Sequence, residues 1–260
     1  MIKLKEITDI LENWSPLESA EEFDNVGLLV GNAEAIINKA IITIDTTEEV
    51  IEEAIGNNCN LIITFHPIIF DGIKKFNNKS YVDRVVSKAI KHNINIYAIH
   101  TNLDNNPKGV NFKISQKLSL KNLEFLIPKE GKNLGMGMIG ELNEELSEIV
   151  FLDFLKSKLK TNFIKHSKFI KRKIKKVAVL GGSGSFAIED AIYAKVDCFV
   201  TSDLKYHDYF KAENELLLVD VGHYESEQYT KELILEFLNK KIPKFACIIS
   251  KTNTNPVNYF

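Results

Sequence analysis

Three apolar segments of the chain end abruptly in side chains that can ligate a metal ion. Each segment is typical of a buried strand, and imidazoles and carboxylates follow it: His66 after LIITF, His100 and Asp104 after INIYAI, and His223 and Glu227 after LLLVDVG. In open α/β sheets the carboxyl ends of the strands face the ligand crevice, so we expect these ends to converge. Histidines mixed with carboxylates suit Zn, Mn or Fe better than Ca. The sequence predicts a divalent metal site with four candidate ligands: His66, Asp104, His223 and Glu227.

His223 and Glu227 have the most informative spacing of these residues. They are four apart at the start of a predicted helix, so they can lie on one helix face and chelate one ion. Taken singly, each candidate has a structural alternative: a hydrogen-bonded histidine, a solvated glutamate or a turn-forming aspartate. The coincidence at three strand ends favours the metal site. His100 is then expected to orient Asp104 or to hold a water.

Two further segments carry polar or glycine residues at strand ends. VTSDLKYHD brings Asp203, Lys205 and His207 to a similar level, where they could orient a substrate, act as acid or base, or bond to one another. VAVLGGSGSF (177–186) has a strand, glycine loop and helix layout that can hold phosphate. It lacks the Gly-Lys-Ser/Thr of a Walker loop and the GxGxxG spacing, so tight packing of the turn is the favoured explanation.

The charges of the chain are balanced, with 33 Lys plus Arg against 35 Asp plus Glu. No overall field therefore steers it toward nucleic acid or membrane. Arg84 and Arg172 are the only arginines, which counts against base-specific recognition, since that readout usually uses arginine. A lysine-rich segment, KHSKFIKRKIKK (165–176), is interpreted as a solvated connector, with phosphate-backbone contact as the weaker alternative.

Alternating apolar runs and amphipathic stretches predict the elements that position these residues. After a first helix over 4–13, the runs AIITID, LIITF and INIYAI alternate with two helical stretches, a βαβαβ pattern typical of a parallel sheet covered on both faces. A glycine-rich break at 127–140 follows, and the same pattern restarts with KKVAVLGG. We therefore expect two α/β units joined near residue 126. The last strand, FACIIS (245–250), could pair with either sheet.

The 260 residues include 45% hydrophobic and 26% charged residues, as in ordinary folded, soluble proteins. The N-terminal segment is neither a signal peptide nor a membrane anchor by composition. Cys59, Cys198 and Cys247 are odd in number and widely spaced, which argues against a disulfide scaffold and a zinc knuckle. We expect a cytoplasmic protein with no membrane partner.

Seven motifs occur in an order that resembles a known family. They are PLESAEEFDNVGLLVG (16–31), LIITFHPIIFDGI (61–73), IYAIHTNLDNNPKGVN (96–111), MGMIGEL (136–142), VAVLGGSG (177–184), TSDLKYHD (201–208) and DVGHYESE (220–227). The chain is similar over about residues 4–250 to the NGG-interacting factor 3-like proteins. These are dinuclear-metal hexameric proteins often named GTP cyclohydrolase I type 2 homologues.

The resemblance implies two similar α/β subdomains with mostly parallel sheets and a metal site in the cleft between them. The first would comprise residues 1–126 completed by 222–260, and the second 127–221, with no inserted third domain. The chain would form a toroidal homo-hexamer. The family pattern implies the same four metal ligands: His66, Asp104, His223 and Glu227.

Phe65 departs from the family pattern, because many members have a second histidine there and phenylalanine cannot ligate. The ion held by His66, Asp104 and Glu227 should persist. The other ion, left with His223 and Glu227, should bind weakly or need water to complete its shell. We therefore expect one or two divalent ions per subunit.

The expected function is metal-dependent hydrolysis of a nucleotide-like substrate through a metal-activated water. For a cyclohydrolase the target would be C8 of guanine, with release of formate and with His207 or His100 as the proton carrier. One alternative is a ring-shaped, metal-binding interaction protein without enzymatic activity. Weak, non-specific nucleic-acid binding through the lysine-rich segment is the third.

Overall fold

A computed structural model describes residues 2–260 of the chain. The chain forms two folding units, and the three predicted strand ends are divided between them. The first unit comprises the chain up to Leu103 together with Thr230–Phe260, and the second comprises Asp104–Tyr229. Among the described residues, no helix combines the length and the apolar character needed to cross a membrane.

The first unit is built around a five-stranded sheet. In chain order its N-terminal elements are β1 (Ile2–Lys3), α1 (Leu4–Trp14), β2 (Gly27–Val30), β3 (Ile36–Ile37), β4 (Lys39–Thr43), α2 (Glu48–Gly56), β5 (Leu61–Thr64), α3 (Tyr81–Lys91), β6 (Asn95–Ala98) and α4 (Thr101–Asp104). The last residue of α4 is the first residue of the second unit. The C-terminal part of the chain adds α9 (Thr230–Lys241) and β13 (Ala246–Ile249). The strand order is β13-β4-β5-β6-β2, and only β2 runs antiparallel to its neighbour. The predicted parallel sheet is confirmed, and the last strand pairs with β4.

The apolar runs explain why these strands lie at the centre of the first unit. Every residue of β5 and β6 is buried, as expected for strands with side chains packed on both faces. Ile41, Ile62 and Ile96 are aligned across the sheet and share one core cluster with the apolar faces of α2 and α3. Their carboxyl ends therefore occupy fixed, neighbouring positions.

The second unit contains a six-stranded mixed sheet. Its elements are α5 (Val110–Lys117), β7 (Lys121–Pro128), β8 (Gly135–Ser147), α6 (Glu148–Leu159), β9 (Lys165–His166), β10 (Lys173–Ser183), α7 (Ile188–Tyr193), β11 (Cys198–Ser202), β12 (Leu217–Asp220) and α8 (His223–Glu227). The order is β7-β8-β10-β11-β12-β9, in which β10, β11 and β12 are parallel and the other pairings are antiparallel.

The glycine-rich segment 127–140 forms part of an antiparallel hairpin instead of a break. Pro128 pairs with Gly135 at the end of β7 and β8. A side chain at Gly135 would place its Cβ 2.6 Å from Cγ of Phe125, so the glycine permits the close approach of the two strands. Glycines that read as a linker thus belong to a strand.

The chain divides into its two units at Leu103/Asp104 and at Tyr229/Thr230. Strand β7 precedes residue 127 but pairs with β8. Asn111 of α5 accepts a hydrogen bond from the backbone of Gly181 in β10. Ser226 of α8 accepts one from Gly182. These elements therefore fold with the second sheet, and the expected subdomains, 1–126 completed by 222–260 and 127–221, stay a prediction.

A segment after β13 closes the first unit onto α2. The Glu53 carboxylate accepts hydrogen bonds from Ser250 Oγ at 2.6 Å, from the backbone of Lys251 at 2.8 Å, and from the backbone and hydroxyl of Thr252 at 3.1 and 2.7 Å. Burial by itself raises the pKa of Glu53, but these bonds lower it to about 2. The carboxylate is therefore ionised at neutral pH.

Replacing Glu53 by alanine is expected to destabilise the protein by about 2 kcal/mol, because charge-assisted hydrogen bonds are lost. Since the folded pKa lies below the ordinary 4.5, this contribution is complete above about pH 4.5 and is lost as the pH falls toward 2. Urea unfolding at pH 7 and pH 3 measures it. The exposed neighbour Glu52, replaced by alanine, is the control. An equal loss of stability in Glu53→Ala at both pH values would contradict the lowered pKa of Glu53.

Candidate metal centre

Two histidines of the first unit, His66 and His100, follow neighbouring parallel strands, and each is held by an aspartate. His66 Nδ1 lies 2.8 Å from Asp45 Oδ1, and His100 Nδ1 lies 2.9 Å from Asp24 Oδ1. A carboxylate can only accept, so Nδ1 of each ring carries a proton, and Nε2 is the nitrogen that a neutral ring can offer to a metal ion. This is the pattern in which an aspartate fixes the tautomer and orientation of a metal-binding histidine.

The aspartates are themselves fixed by other groups. The second oxygen of Asp45 accepts a hydrogen bond from Thr254 Oγ1 at 2.7 Å. Asp24 also accepts from the backbone and the hydroxyl of Thr101. Burial raises the pKa of Asp24, but the bonds from His100 and Thr101 lower it to about 2. An ionised carboxylate therefore holds His100 at any pH above about 4.

In the second unit the predicted pair of His223 and Glu227 is brought together. Both lie on α8, which begins directly after Gly222, a residue with a φ of +90°. His223 Nε2 is 3.0 Å from Glu227 Oε2, and His223 Nδ1 is 2.7 Å from Asp203 Oδ2. Burial alone lowers the pKa of His223, but the two carboxylates raise it to about 11. Two anionic groups thus face one imidazole, where they stabilise a positive charge.

Glu227 is almost completely buried, with 3% of its surface exposed, and Gly182 of β10 makes room for its carboxylate. Gly182 has a φ of +72°, and a Cβ on it would lie 2.4 Å from Glu227 Oε1. The glycine loop is therefore explained by close approach of the strand to Glu227, in agreement with the packing interpretation. The helix that follows, α7, has only six residues.

Asp104, the remaining predicted ligand, ends α4 and is buried. Its backbone carbonyl accepts a hydrogen bond from Asn111 Nδ2 at 3.3 Å, and Asn111 Oδ1 binds the backbone of Gly181. The end of this short helix is thus connected to the same strand that borders Glu227.

His207, predicted as a proton carrier, is exposed in the short helical turn Tyr206–Ala212. Its ring lies against those of Tyr206 and Phe210, at centroid distances of 5.1 and 6.1 Å. Among the polar residues of VTSDLKYHD, Asp203 is the one that bonds to His223. The catalytic role of His207 and His100 stays a prediction.

The aspartate partners were not assigned from the sequence. Asp45 ends the run AIITID one strand before His66, so a carboxylate at the neighbouring strand end is a signal that can be read. Asp203 has a signal of the same kind, because it follows a strand, but its bond to His223 has no local pattern in the sequence. Asp24 lies 76 positions from His100, and no local pattern connects them.

Replacing Asp203 by asparagine is expected to weaken metal binding by about 10- to 100-fold, the usual cost of losing a carboxylate behind a ligating histidine. Asp203 has a φ of +57°, which asparagine also tolerates, so the backbone should be retained. Equilibrium dialysis against Zn or Mn measures the affinity. Asp153→Asn, on the exposed face of α6, is the matched control. Unchanged metal affinity of the Asp203→Asn protein would contradict the role of Asp203 in orienting His223.

Sequence and structure comparisons agree on the family. A sequence model of the family Duf34/NIF3 (NGG1p interacting factor 3) matches residues 2–256. The chain belongs to the NIF3 family. A "GTP cyclohydrolase 1 type 2 homolog" of Clostridium acetobutylicum is 32% identical over 266 residues, covering 99% of each chain. A protein of the same name from Campylobacter jejuni is 33% identical over 263 residues, covering both chains completely.

A NIF3-like fold is also found among solved structures. A hypothetical protein of Staphylococcus aureus superimposes with a TM-score of 0.93 at 28% identity, covering 99% of each chain. The agreement over the full length confirms the α/β architecture, and the family match confirms the resemblance drawn from the seven motifs.

Proposed function

We propose that this NIF3 protein binds divalent metal ions and uses them to hydrolyse a nucleotide-like substrate. The observation that carries the proposal is the His223–Glu227 pair, with Nε2 and Oε2 3.0 Å apart and Nδ1 of the histidine held by Asp203. A buried carboxylate beside an oriented imidazole is costly unless a positive charge is shared between them. A divalent cation supplies that charge, and a proton supplies it in the absence of metal.

His66 and Asp104 are the other ligands of the proposed site. With His223 and Glu227, His66 would complete a ligand set of two imidazoles and one carboxylate. Both histidines have Nδ1 occupied by an aspartate, so Nε2 is the ligand atom of each. Imidazole with carboxylate suits Zn, Mn or Fe. One or two ions per subunit follow from this ligand set.

A bound ion would lower the pKa of a water molecule toward neutral, which prepares the water for attack on the substrate. The residues of the chain orient the ligands and move protons around it. His100, fixed by an ionised Asp24, can pass a proton at Nε2. His207, exposed on its helical turn, is the second candidate. Asp203 and Asp45 hold the tautomers of His223 and His66.

The substrate class rests on the relatives, which are named GTP cyclohydrolase 1 type 2 homologs. For such chemistry the target would be the purine C8, with formate as the product. We further propose a homo-hexamer in the cytoplasm. The three free thiols, Cys59, Cys198 and Cys247, support a reducing compartment.

A non-enzymatic, ring-shaped metal-binding protein is the second candidate. Phe65 favours it, because a fully buried phenyl ring occupies the position before His66 and removes one ligand from a two-metal mechanism. Nucleic-acid binding is less favoured, since several cations of the lysine-rich segment have protein partners. Lys165 Nζ lies 2.7 Å from Asp220 Oδ2, and Lys176 Nζ donates to the carbonyl of Ala194.

Elemental analysis of protein purified without chelator, followed by assays on a panel of nucleotides, tests the proposal. We expect one to two ions per subunit and metal-dependent release of formate from GTP. Full metal loading without turnover of any nucleotide would support the interaction protein. A metal-free preparation that also fails to take up Zn, Mn or Fe would overturn both.

Replacing Phe65 by histidine is expected to raise metal content toward two ions per subunit. The phenyl ring lies 5.0 Å from the ring of His66 and 5.3 Å from that of His100. Without metal the variant should lose about 1–3 kcal/mol of stability, because it buries a polar ring in an apolar position. Elemental analysis and urea unfolding measure the two effects. Phe65→Leu is the control, and equal metal content in the two variants would contradict the expectation.

A further inference from the structure

Two phenylalanine rings of the first unit are exposed side by side near the histidines. Phe23 is 67% exposed and Phe70 is 49% exposed, and their ring centroids are 6.2 Å apart. Single exposed apolar side chains are ordinary, but neighbouring large rings on a surface mark binding sites. Aromatic rings contribute the most contact area per immobilised side chain.

The backbone that carries both rings is anchored. Asp24, next to Phe23, has a fully buried side chain that binds His100 and Thr101. Asn25 Nδ2 donates to the carbonyl of Ile69, next to Phe70, at 2.7 Å. The two loops are therefore tied to each other and to the end of β6. The rings are exposed, yet their positions are set in advance, which lowers the entropic cost of binding a ligand.

The exposed rings continue a row of rings that begins at the predicted metal ligand His66. The ring of His100 lies 5.2 Å from that of His66, and the ring of Phe70 lies 6.4 Å from that of His100 in an edge arrangement. Phe23 extends the row beyond Phe70. A planar molecule lying on Phe70 or Phe23 thus has one side close to the histidines, where the proposed chemistry occurs.

The chemistry of the two rings indicates what they recognise. Phenyl groups have no hydrogen-bonding atoms, so they bind the π-face of a ligand and do not read the polar edges of a base. A sandwich between the two rings would need about 7 Å between parallel faces, which exceeds their 6.2 Å separation. The ligand therefore stacks on an outer face of the pair.

We propose that Phe23 and Phe70 form a stacking platform that positions the planar heterocyclic base of the substrate beside His66 and His100. The platform deepens the proposed function and rests on it for the identity of the substrate. It accepts purine bases with little discrimination between them, because every base has a π-face. Selectivity must come from groups other than these two rings.

Calorimetric titration with GMP, AMP and ribose 5-phosphate tests the platform. Phe23→Leu and Phe70→Leu keep an apolar side chain but lose the ring. We expect each variant to weaken the binding of GMP and AMP by about 5- to 100-fold. This loss corresponds to the stacking of one base on an aromatic ring. Binding of ribose 5-phosphate, which has no base, should be unchanged, and Phe70→Trp should retain GMP binding. Phe163→Leu, an exposed ring of the second unit, is the matched control.

The metal content of each variant separates this inference from the proposed function. Metal-loaded protein that binds GMP equally well with and without the two rings would overturn the platform alone. Ring-dependent GMP binding by protein that holds no metal would support the platform and overturn the metal proposal. Absence of GMP and AMP binding at millimolar concentration would overturn the platform. Light scattering gives a further outcome that would overturn the platform. If the leucine variants bound GMP normally but had a changed oligomer mass, the rings would be a subunit contact.

Discussion

Glu227→Gln is expected to reduce metal content from one or two ions to less than about 0.1 per subunit after dialysis. Glu227 is the residue that both expected ions share, and its buried carboxylate already lies 3.0 Å from His223 Nε2. A neutral amide of the same shape removes the negative charge while preserving the packing against Gly182. The effect should exceed the 10- to 100-fold loss expected when a group behind a ligand is removed.

Elemental analysis and equilibrium dialysis measure this loss, and circular dichroism checks that the fold is retained. Glu189→Gln, on the exposed surface of α7, removes one negative charge from the same unit and should keep full metal content. Normal metal binding by a folded Glu227→Gln protein would contradict the assignment of the centre.

The same variant should change the protonation of His223. In the metal-free protein Asp203 and Glu227 raise the pKa of His223 to about 11 against the effect of burial, so an incoming cation must displace a proton. Metal affinity of the native protein should therefore rise with pH over the neutral range. Glu227→Gln removes one of the two negative partners and should lower the pKa of His223, which NMR titration of the imidazole measures.

Gly182→Ala is expected to have the second large effect, acting on stability and metal content together. The new Cβ would lie 2.4 Å from Glu227 Oε1 at a φ of +72°, so either the strand or the carboxylate must move. We expect a loss of about 2–4 kcal/mol from the backbone strain and the overpacking combined. Displacement of Glu227 should also reduce metal affinity at least 10-fold.

Gly131→Ala separates the two causes. Gly131 has a similar φ of +68°, but no atom of residues 2–260, apart from the glycine and its two chain neighbours, lies within 4 Å of the position of its Cβ. It should therefore show only the cost of the backbone conformation, about 1 kcal/mol, and bind metal normally. Urea unfolding and equilibrium dialysis compare the two variants. If they behaved alike, the close contact between β10 and Glu227 would be without energetic consequence.

The parts of the fold with local signals could be predicted from the sequence. Continuous apolar runs identify β4, β5 and β6, because strands buried on both faces tolerate few polar residues. The hairpin of β7 and β8 has a weaker signal, since its glycines are typical of a linker and serve close strand packing instead. The pairing of β13 with β4 depends on tertiary packing, and a short apolar run does not encode its neighbour.

The candidate site also has one part with a local sequence signal and another part that depends on the tertiary structure. His223 and Glu227 lie four residues apart on one helix, so their proximity follows from helix geometry. The partnerships of His66 with Asp45 and of His100 with Asp24 join residues distant in sequence. They depend on which strand ends and loops the sheet places side by side. Gly182 could be read as a turn residue, but its role beside Glu227 requires the three-dimensional packing.

The order of segments along the chain has a consequence for synthesis on the ribosome. β4, β5 and β6 emerge early, but β13, which pairs with β4, and Thr254, which holds Asp45 behind His66, emerge only after the whole second unit. Chains generally fold from the N-terminus as they are made, yet here the second unit can close first. His223 and Glu227 can therefore be in place while Thr254, which bonds to Asp45 behind His66, is still being translated, and metal uptake at His66 should follow completion of the chain.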